Sequence, residues 1–132
     1  MERTYVMLKP DCIKRGLVGE VISRIEKKGY HIVGARMIQL DEQILKEHYS
    51  HIADKPFFPE TVDYMTSGPV MAMIVEGENA VAGIRQLMGA TKFDDMKAGT
   101  IRGDFASSTT LNLIHGSDSL ENAEIEIHRF FK

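Results

Sequence analysis

The sequence of 132 residues lacks several features that would place it in other classes of protein. It has no tryptophan, and its one cysteine, Cys12, has no partner for an internal disulfide, which agrees with a reducing compartment. The longest uninterrupted apolar run, Val70 to Val75, is far shorter than the roughly 20 residues of a membrane-spanning helix. The N-terminus has no hydrophobic segment of signal-peptide length. These absences predict a cytoplasmic protein with no membrane partner.

The sequence also lacks an excess of basic charge and the common phosphate and zinc motifs. Its 16 lysines and arginines against 19 acids give a formal charge of -3, so nucleic acid binding is not indicated. No G-x-x-x-x-G-K-[ST] loop and no G-x-G-x-x-G after a strand occurs, so any phosphate must be bound by side chains. His48 and His51 lie three residues apart without an evident third ligand, so we expect no tightly held structural metal.

The apolar pattern predicts four strands separated by helices. The β-α-β-β-α-β order, with extra helices inserted after the second strand, predicts an α+β protein with a ferredoxin-like sandwich, in which helices cover a four-stranded antiparallel sheet. We expect one domain over residues 1–132. Residues 91–111 show no clear periodicity. The predicted strands are Thr4–Lys9, His31–Leu40, Val70–Glu76 and Leu111–His115, and the predicted helices begin near Gly16, Asp41, Glu60, Ala80 and Leu120.

The segment NLIHGSDS places His115 at the end of the last predicted strand. A neutral imidazole near pH 7 offers a ring nitrogen that can act as a nucleophile or a base. Gly116 removes side-chain bulk next to the ring, and Ser117 and Asp118 supply hydrogen-bonding groups beside it. The alternative is a buried histidine that a backbone carbonyl satisfies.

The last predicted helix offers two carboxylates that could orient the His115 ring. At 100° per residue, Glu124 and Glu126 lie on the two borders of the apolar stripe, and periodicity alone does not choose between them. Both could equally be solvated. Ile125 points away from the stripe, which indicates an interface.

Basic side chains from separate elements could converge on a polyanion. In GTIRGDF, residues 99–105, Arg102 lies between glycines that would let the backbone approach a ligand, and its planar guanidinium suits phosphate oxygens. Lys9 ends the first predicted strand, Arg85 lies in the last turn of a helix, and Lys55 precedes the breaker PFFP.

Six segments together resemble the nucleoside diphosphate kinase family over nearly the whole chain: KPD (9–11), RGLVGEVISRIEKKGY (15–30), KPFFP (55–59), SGPV (67–70), GTIRGDF and NLIHGSDS. The resemblance implies a ping-pong enzyme. His115 would take the γ-phosphoryl group of a nucleoside triphosphate on Nδ1 and pass it to a nucleoside diphosphate. It favours Glu126 as the group that holds the other ring nitrogen, with Ser117 in support.

The same resemblance assigns the ligand contacts. It implies that Phe57 stacks on the base and that Mg²⁺ arrives with the nucleotide phosphates, with Asp118 reaching it only through water. Stacking suits every base, so broad base specificity is expected. A homo-oligomer is expected, either a hexamer or a tetramer. The remaining implied contacts are Lys9, Arg85, Thr91 and Arg102 with the phosphates, Tyr49 near the phosphorylated ring, and Lys9 and Asn112 with the ribose.

Two rival functions fit parts of this pattern. A non-catalytic nucleotide-binding or nucleic-acid-binding module would use Phe57 and the arginines only to bind, but it would not need His115, Ser117 and Glu126 together. A phosphohistidine-forming hydrolase would release phosphate without a diphosphate acceptor. Departures from the family pattern cluster around the 91–111 loop, at Lys92-Phe93, Ala98 and Thr109-Thr110-Leu111, and none removes a predicted catalytic residue.

Overall fold

A computed structural model describes residues 1–131, and Lys132, the last residue of the predicted domain, lies outside the described residues. Within residues 1–131, none of the helices is long and apolar enough to cross a membrane. In chain order the elements are β1 (Glu2–Leu8), α1 (Pro10–Lys14), α2 (Val18–Lys27), β2 (His31–Ile38), α3 (Glu42–His48), α4 (Phe58–Met65), β3 (Val70–Gly77), α5 (Ala80–Met88), a short 3-10 helix (Phe93–Asp95), α6 (Ile101–Phe105), β4 (Ile114–Gly116) and α7 (Leu120–Phe130).

The four strands form one antiparallel sheet in the order β2-β3-β1-β4. This arrangement confirms the predicted four-stranded antiparallel sheet and the α+β class. The register of β2 on β3 shifts between Ile32 and Gly34, where the sequence predicts a bulge or close packing. The central strands β1 and β3 carry most of the buried positions, since helices cover both faces of the sheet.

Two apolar cores lie on opposite faces of the sheet, and β1 contributes to both by alternation. Val6 and Leu8 pack with α2 and α5, whereas Tyr5 and Met7 pack with α3, α4 and α7. The inserted helices α3 and α4 therefore close a face that a minimal β-α-β-β-α-β unit would leave to solvent. The second core packs α7 against β1, the strand that pairs with β4, which carries His115.

Two boundaries differ from the sequence prediction for identifiable backbone reasons. The first strand ends at Leu8, and Pro10 starts α1, a short helix that the sequence analysis missed. The last strand begins at Ile114 and not at Leu111, because Leu113 has a φ of 72°, a left-handed conformation that interrupts an extended strand. Helix α5 begins at the predicted residue, Ala80.

The 91–111 segment, whose sequence shows no clear periodicity, is not structureless. It contains the 3-10 helix and α6, whose first turn is capped by Thr100 Oγ1 accepting from the Gly103 amide at 2.9 Å. A Cβ at Gly103 would collide with the Lys97 carbonyl. The interpretation of this glycine as a place where the backbone approaches a ligand is therefore wrong, since the space is filled by the protein's own loop.

Candidate active site

His115 lies in the middle of the edge strand β4, where it pairs with Met7 of β1. Its side chain faces the second core, and its ring centroid lies 6.0 Å from that of Tyr5. Helix α7 packs across the same face. A side chain that leaves an edge strand next to a covering helix can be held from behind and remain open in front.

Glu126 holds the back of the His115 ring. His115 Nε2 lies 2.8 Å from Glu126 Oε1, and Ser117 Oγ donates to the same oxygen at 2.7 Å. Ser117 is itself fixed by its amide, which donates to the Tyr5 carbonyl at 3.1 Å. Glu124, the other carboxylate that periodicity allowed, is exposed.

These contacts set the protonation of the pair. Burial alone would raise the pKa of Glu126, but the hydrogen bonds from His115 and Ser117 outweigh it, so the pKa of this carboxyl lies below its ordinary value. With an ionised carboxylate at Nε2, the ring donates its proton there and keeps the lone pair on Nδ1. Within residues 1–131, the structure gives Nδ1 no hydrogen-bond partner.

His48 supports the other side of the ring. The two imidazoles meet edge to face with centroids 4.8 Å apart, and Arg129 Nη1 lies 2.9 Å from His48 Nδ1. Burial, followed by the nearby His115, lowers the pKa of His48 to about 3, so this ring stays neutral at working pH. His48 adds bulk without adding charge.

His48, His115 and Glu126 also have the composition of a metal site, with ligand atoms that all lie within 4.8 Å of one another. The hydrogen-bonding pattern disfavours that use. Because Arg129 can only donate, His48 Nδ1 accepts, and the proton of the ring must then reside on Nε2, the atom that would have to coordinate the metal. The cationic guanidinium beside the ring disfavours a metal cation further.

Lys9 and Asn112 meet at the open side of the sheet. Lys9 Nζ donates to Asn112 Oδ1 at 2.7 Å, and Asn112 Nδ2 donates to the Thr109 carbonyl at 2.9 Å. Lys9 is only 9 % exposed. Burial, and after it the charge of Arg102, lower the pKa of Lys9 to about 7. This ammonium group has little to balance its charge and would gain from a bound anion.

Arg102 is fixed by backbone oxygens. Nη2 donates to the Ile114 carbonyl at 2.7 Å, Nη1 to the Gly89 carbonyl at 3.2 Å, and Nη1 also lies 3.4 Å from Thr91 Oγ1. Burial and the neighbouring Arg85 lower the pKa of Arg102 to about 10, which still leaves it charged at pH 7. Arg85 is more exposed, and its Nη1 lies 3.5 Å from the Gly116 carbonyl.

Two neighbouring cavities collect the predicted site residues. The His115 cavity, of about 600 Å³, is lined by His115, Glu126, Arg85, Asp118 and Tyr49 among others. The Phe57 cavity, of about 400 Å³, is lined by Phe57, Lys9, Tyr49, Thr91 and Asn112 among others. Tyr49 lines both cavities and connects them, and burial raises the pKa of its hydroxyl to about 12.

Three of the residues predicted for the site do not line either cavity. Ser117 and Arg102 are buried behind the cavity walls. Lys55 lines neither cavity.

Gly116 has a different purpose from the one that the sequence suggested. A Cβ at this position would meet Met88 Sδ and Ile84 of α5, on the opposite side of the sheet from the His115 ring. The glycine therefore lets α5 pack closely against β4 and does not make room beside the imidazole.

Comparison with known proteins assigns the chain to a family. A model of the nucleoside diphosphate kinase family, described as "Nucleoside diphosphate kinase", matches residues 2–132. The chain belongs to the nucleoside diphosphate kinase family. The predictions of the family and of an enzyme are thereby confirmed.

Nucleoside diphosphate kinases are also its relatives and structural neighbours. The chain is 53% identical to the enzyme of Acetivibrio thermocellus over 131 residues, which cover 99% of this chain and 96% of the relative. It is 50% identical to that of Thermus thermophilus, with coverage of 100% and 96%. Its fold matches the apo nucleoside diphosphate kinase of Encephalitozoon cuniculi with a TM-score of 0.96 at 46% identity, covering 99% and 89% of the two chains. It matches that of Halobacterium salinarum in complex with CDP with a TM-score of 0.95 at 49% identity, covering 99% and 88%.

Sequence reasoning missed some contacts and residues near the site, and it considered His48 only as a metal ligand together with His51. His48 and its partner Arg129 come from different helices, and no spacing along the chain connects them. Glu60, in the first turn of α4, lines the Phe57 cavity. Its separation of three residues from Phe57, which places both on one helix face, was the available signal.

Proposed function

We propose that this enzyme transfers the γ-phosphoryl group of a nucleoside triphosphate, typically ATP, to a nucleoside diphosphate through a phosphohistidine at His115. The observation that carries the proposal is the 2.8 Å contact between Nε2 and Glu126, which leaves Nδ1 with a lone pair beside the His115 cavity. A module that only bound nucleotides would not need the His115 ring to be held in one tautomer.

The chemical step uses this lone pair. Nδ1 forms a bond to the γ-phosphorus while the bond from phosphorus to the bridging oxygen breaks, and the nucleoside diphosphate leaves with that electron pair. The phosphorylated ring keeps its Nε2 proton and acquires positive charge. The Glu126 carboxylate stabilises this charge across the 2.8 Å contact, so it favours the phosphorylated state. The second half-reaction reverses these steps with a different diphosphate.

Lys9, Arg85, Thr91 and Arg102 are proposed to bind and orient the phosphates, and Tyr49 to flank the phosphorylated ring. Lys9 and Arg102 carry poorly solvated charge, which supports anion binding. In phosphoryl transfer the protein contributes mainly positioning and electrostatic stabilisation. The four hydrogen-bond acceptors that hold Arg102 fix its orientation before the substrate arrives.

The nucleoside is proposed to occupy the Phe57 cavity. Phe57 is 51% exposed and lines this cavity, so its ring is accessible for a base to stack on. Asn112 and Lys9 line the same cavity and offer polar groups to the ribose. Since every base has a π-face, stacking supports broad base specificity. The neighbour from Halobacterium salinarum was solved with CDP, which agrees with a pyrimidine in such a site.

Mg²⁺ is proposed to arrive bound to the nucleotide phosphates. Asp118 is exposed and lines the His115 cavity, and its Oδ1 accepts from Asn122 Nδ2 at 2.6 Å. A single oriented carboxylate fits a cation that takes most of its ligands from water and phosphate. Bound there, the cation would neutralise charge on the phosphates, and Asp118 would hold it through water.

A homo-oligomer, hexamer or tetramer, is proposed from apolar side chains left at the surface. The edge strand β2 exposes Val33 and Met37, and Ile125 of α7 is exposed where the sequence indicates an interface. Native mass spectrometry of the protein tests this, and a monomer at micromolar concentration would contradict it. A cytoplasmic location and a single domain stay predictions from the sequence.

Two kinetic tests distinguish the proposed function from its rivals. A ping-pong enzyme exchanges label between ATP and ADP with no other nucleotide present, and it gives parallel reciprocal plots when ATP and dTDP are varied. Intersecting plots without exchange would contradict a phosphoenzyme. Release of phosphate from ATP at a rate equal to transfer would favour the hydrolase, and binding without exchange would favour the binding module.

A further inference from the structure

Glu60 lies beside the proposed stacking surface. Phe57 is in the N-cap position of α4, and its carbonyl accepts from the Thr61 amide at 3.3 Å, so Phe57 already belongs to the first turn. Residues three apart on a helix lie on one face with Cβ atoms about 5–6 Å apart. Both Phe57 and Glu60 line the same cavity. A base stacked on the Phe57 ring would therefore present its edge to the Glu60 carboxylate.

The Glu60 carboxylate is available for such a contact. Within residues 1–131, no hydrogen bond or ion pair engages it, and the side chain is exposed. An acid in the first turn of a helix also favours the helix dipole, a role that needs no ligand. Asp63 on the same helix is likewise an exposed acid but does not line the cavity, so it provides a matched comparison.

A carboxylate discriminates among base edges because it can only accept hydrogen bonds. Guanine presents two adjacent donors, N1–H and the 2-amino group, which match the two carboxylate oxygens. Adenine and cytosine each present one amino donor next to an acceptor nitrogen. Uracil and thymine present one N–H between two carbonyl oxygens, which repel a carboxylate.

We propose that Glu60 gives this broadly acting kinase a preference for guanine nucleotides, by accepting hydrogen bonds from the guanine edge while the base stacks on Phe57. The inference rests on the proposed function, since it assumes that the base occupies the Phe57 cavity. The preference is superimposed on stacking and does not exclude other bases. A bidentate pair discriminates between bases by about 1–3 kcal/mol. Because the Glu60 carboxylate is exposed to water, we expect the lower end of this range, which is about a fivefold ratio of rate constants.

The test compares GDP with inosine diphosphate, which differs from GDP only by lacking the 2-amino group. The phosphoenzyme is prepared with Mg·ATP, freed of nucleotide at alkaline pH, and mixed with each diphosphate to obtain the second-order rate constant for phosphoryl transfer. Wild-type protein and Asp63→Asn should prefer GDP over inosine diphosphate about fivefold. In Glu60→Ala the ratio should fall close to one, whereas Glu60→Gln, whose amide keeps one acceptor oxygen, should give an intermediate ratio. A general effect of charge on phosphate binding cancels in this ratio.

The outcomes separate the two proposals. If the wild-type phosphoenzyme reacts with both diphosphates at one rate, or if Glu60→Ala keeps the wild-type ratio, the preference is refuted while the kinase mechanism stands. If no phosphoenzyme forms, the mechanism at His115 fails. Equilibrium dialysis of GDP and inosine diphosphate against the wild type and Glu60→Ala then still decides the preference, with equal affinities counting against it.

Discussion

Replacing Glu126 by glutamine tests how much the held ring contributes to catalysis. Both hydrogen bonds at this residue end on one oxygen, Oε1, which accepts from His115 and Ser117. A glutamine side chain can keep both of them through its amide oxygen. The substitution therefore removes the negative charge while it preserves the geometry, and the loss should appear when the His115 ring acquires positive charge.

The size of this effect follows from the type of hydrogen bond. A bond to a charged group contributes about 1.5–3 kcal/mol, against about 0.5–1.5 kcal/mol for a neutral pair, so the change removes about 1–1.5 kcal/mol. If all of it is lost in the transition state, phosphorylation slows about five- to thirteenfold. Transfer is slowed and not abolished, because Nδ1 keeps its lone pair.

The assay is rapid-quench formation of the phosphoenzyme from Mg·ATP, with Glu124→Gln as the matched control. Glu124 lies on the same helix, is exposed, and loses the same charge. We expect the control to react at the wild-type rate. The reasoning is refuted if Glu126→Gln reacts as fast as the wild type, or if both variants are slowed equally.

Three further predictions concern substrate binding and the fixed arginine. Because the pKa of Lys9 is lowered to about 7, its side chain is mostly neutral at pH 8, and a bound phosphate should restore its charge with uptake of about one proton. Calorimetry in buffers of different ionisation enthalpy measures this uptake, and the same uptake in Lys9→Met would rule the assignment out. Phe57→Ala should weaken ADP, CDP and UDP binding alike, by about 1–3 kcal/mol, and a loss confined to one of these bases would contradict stacking. Arg102→Lys loses the fork that donates to the carbonyls of Gly89 and Ile114, and should lower the free energy of unfolding by about 1–3 kcal/mol. Urea denaturation checks this, with an unchanged midpoint as the contrary result.

The fold was largely predictable because its signals are local. The apolar stripe predicted a last helix from about Leu120 to Phe130, and the structure gives α7 those bounds, with Ser119 Oγ accepting from the Asn122 amide at 3.1 Å. The sequence prediction of helices and strands failed where tertiary contacts override the local pattern of apolar residues. Helix α6 has five residues, too few for a period to appear, and the left-handed Leu113 that delays β4 has no signature in a run of apolar residues.

The candidate site was predictable only in part, for the same reason. Periodicity placed Glu124 and Glu126 at equivalent borders of the stripe, and only the packing of α7 on β1 brings Glu126 to the ring. The contact of His48 with His115 depends on how α3 packs over the sheet, which a spacing along the chain does not express. The resemblance to the family supplied Glu126 before the structure did, but it gave no role to Glu60.

Intact mass of the protein tests the central claim most directly. The protein is treated with Mg·ATP at alkaline pH, where a phosphoramidate survives, and is measured before and after addition of GDP. The account predicts one phosphoryl group per chain, lost as GTP forms, and no adduct on His115→Ala. A wild-type protein that binds nucleotide without forming an adduct, or an adduct that persists in His115→Ala, would contradict it.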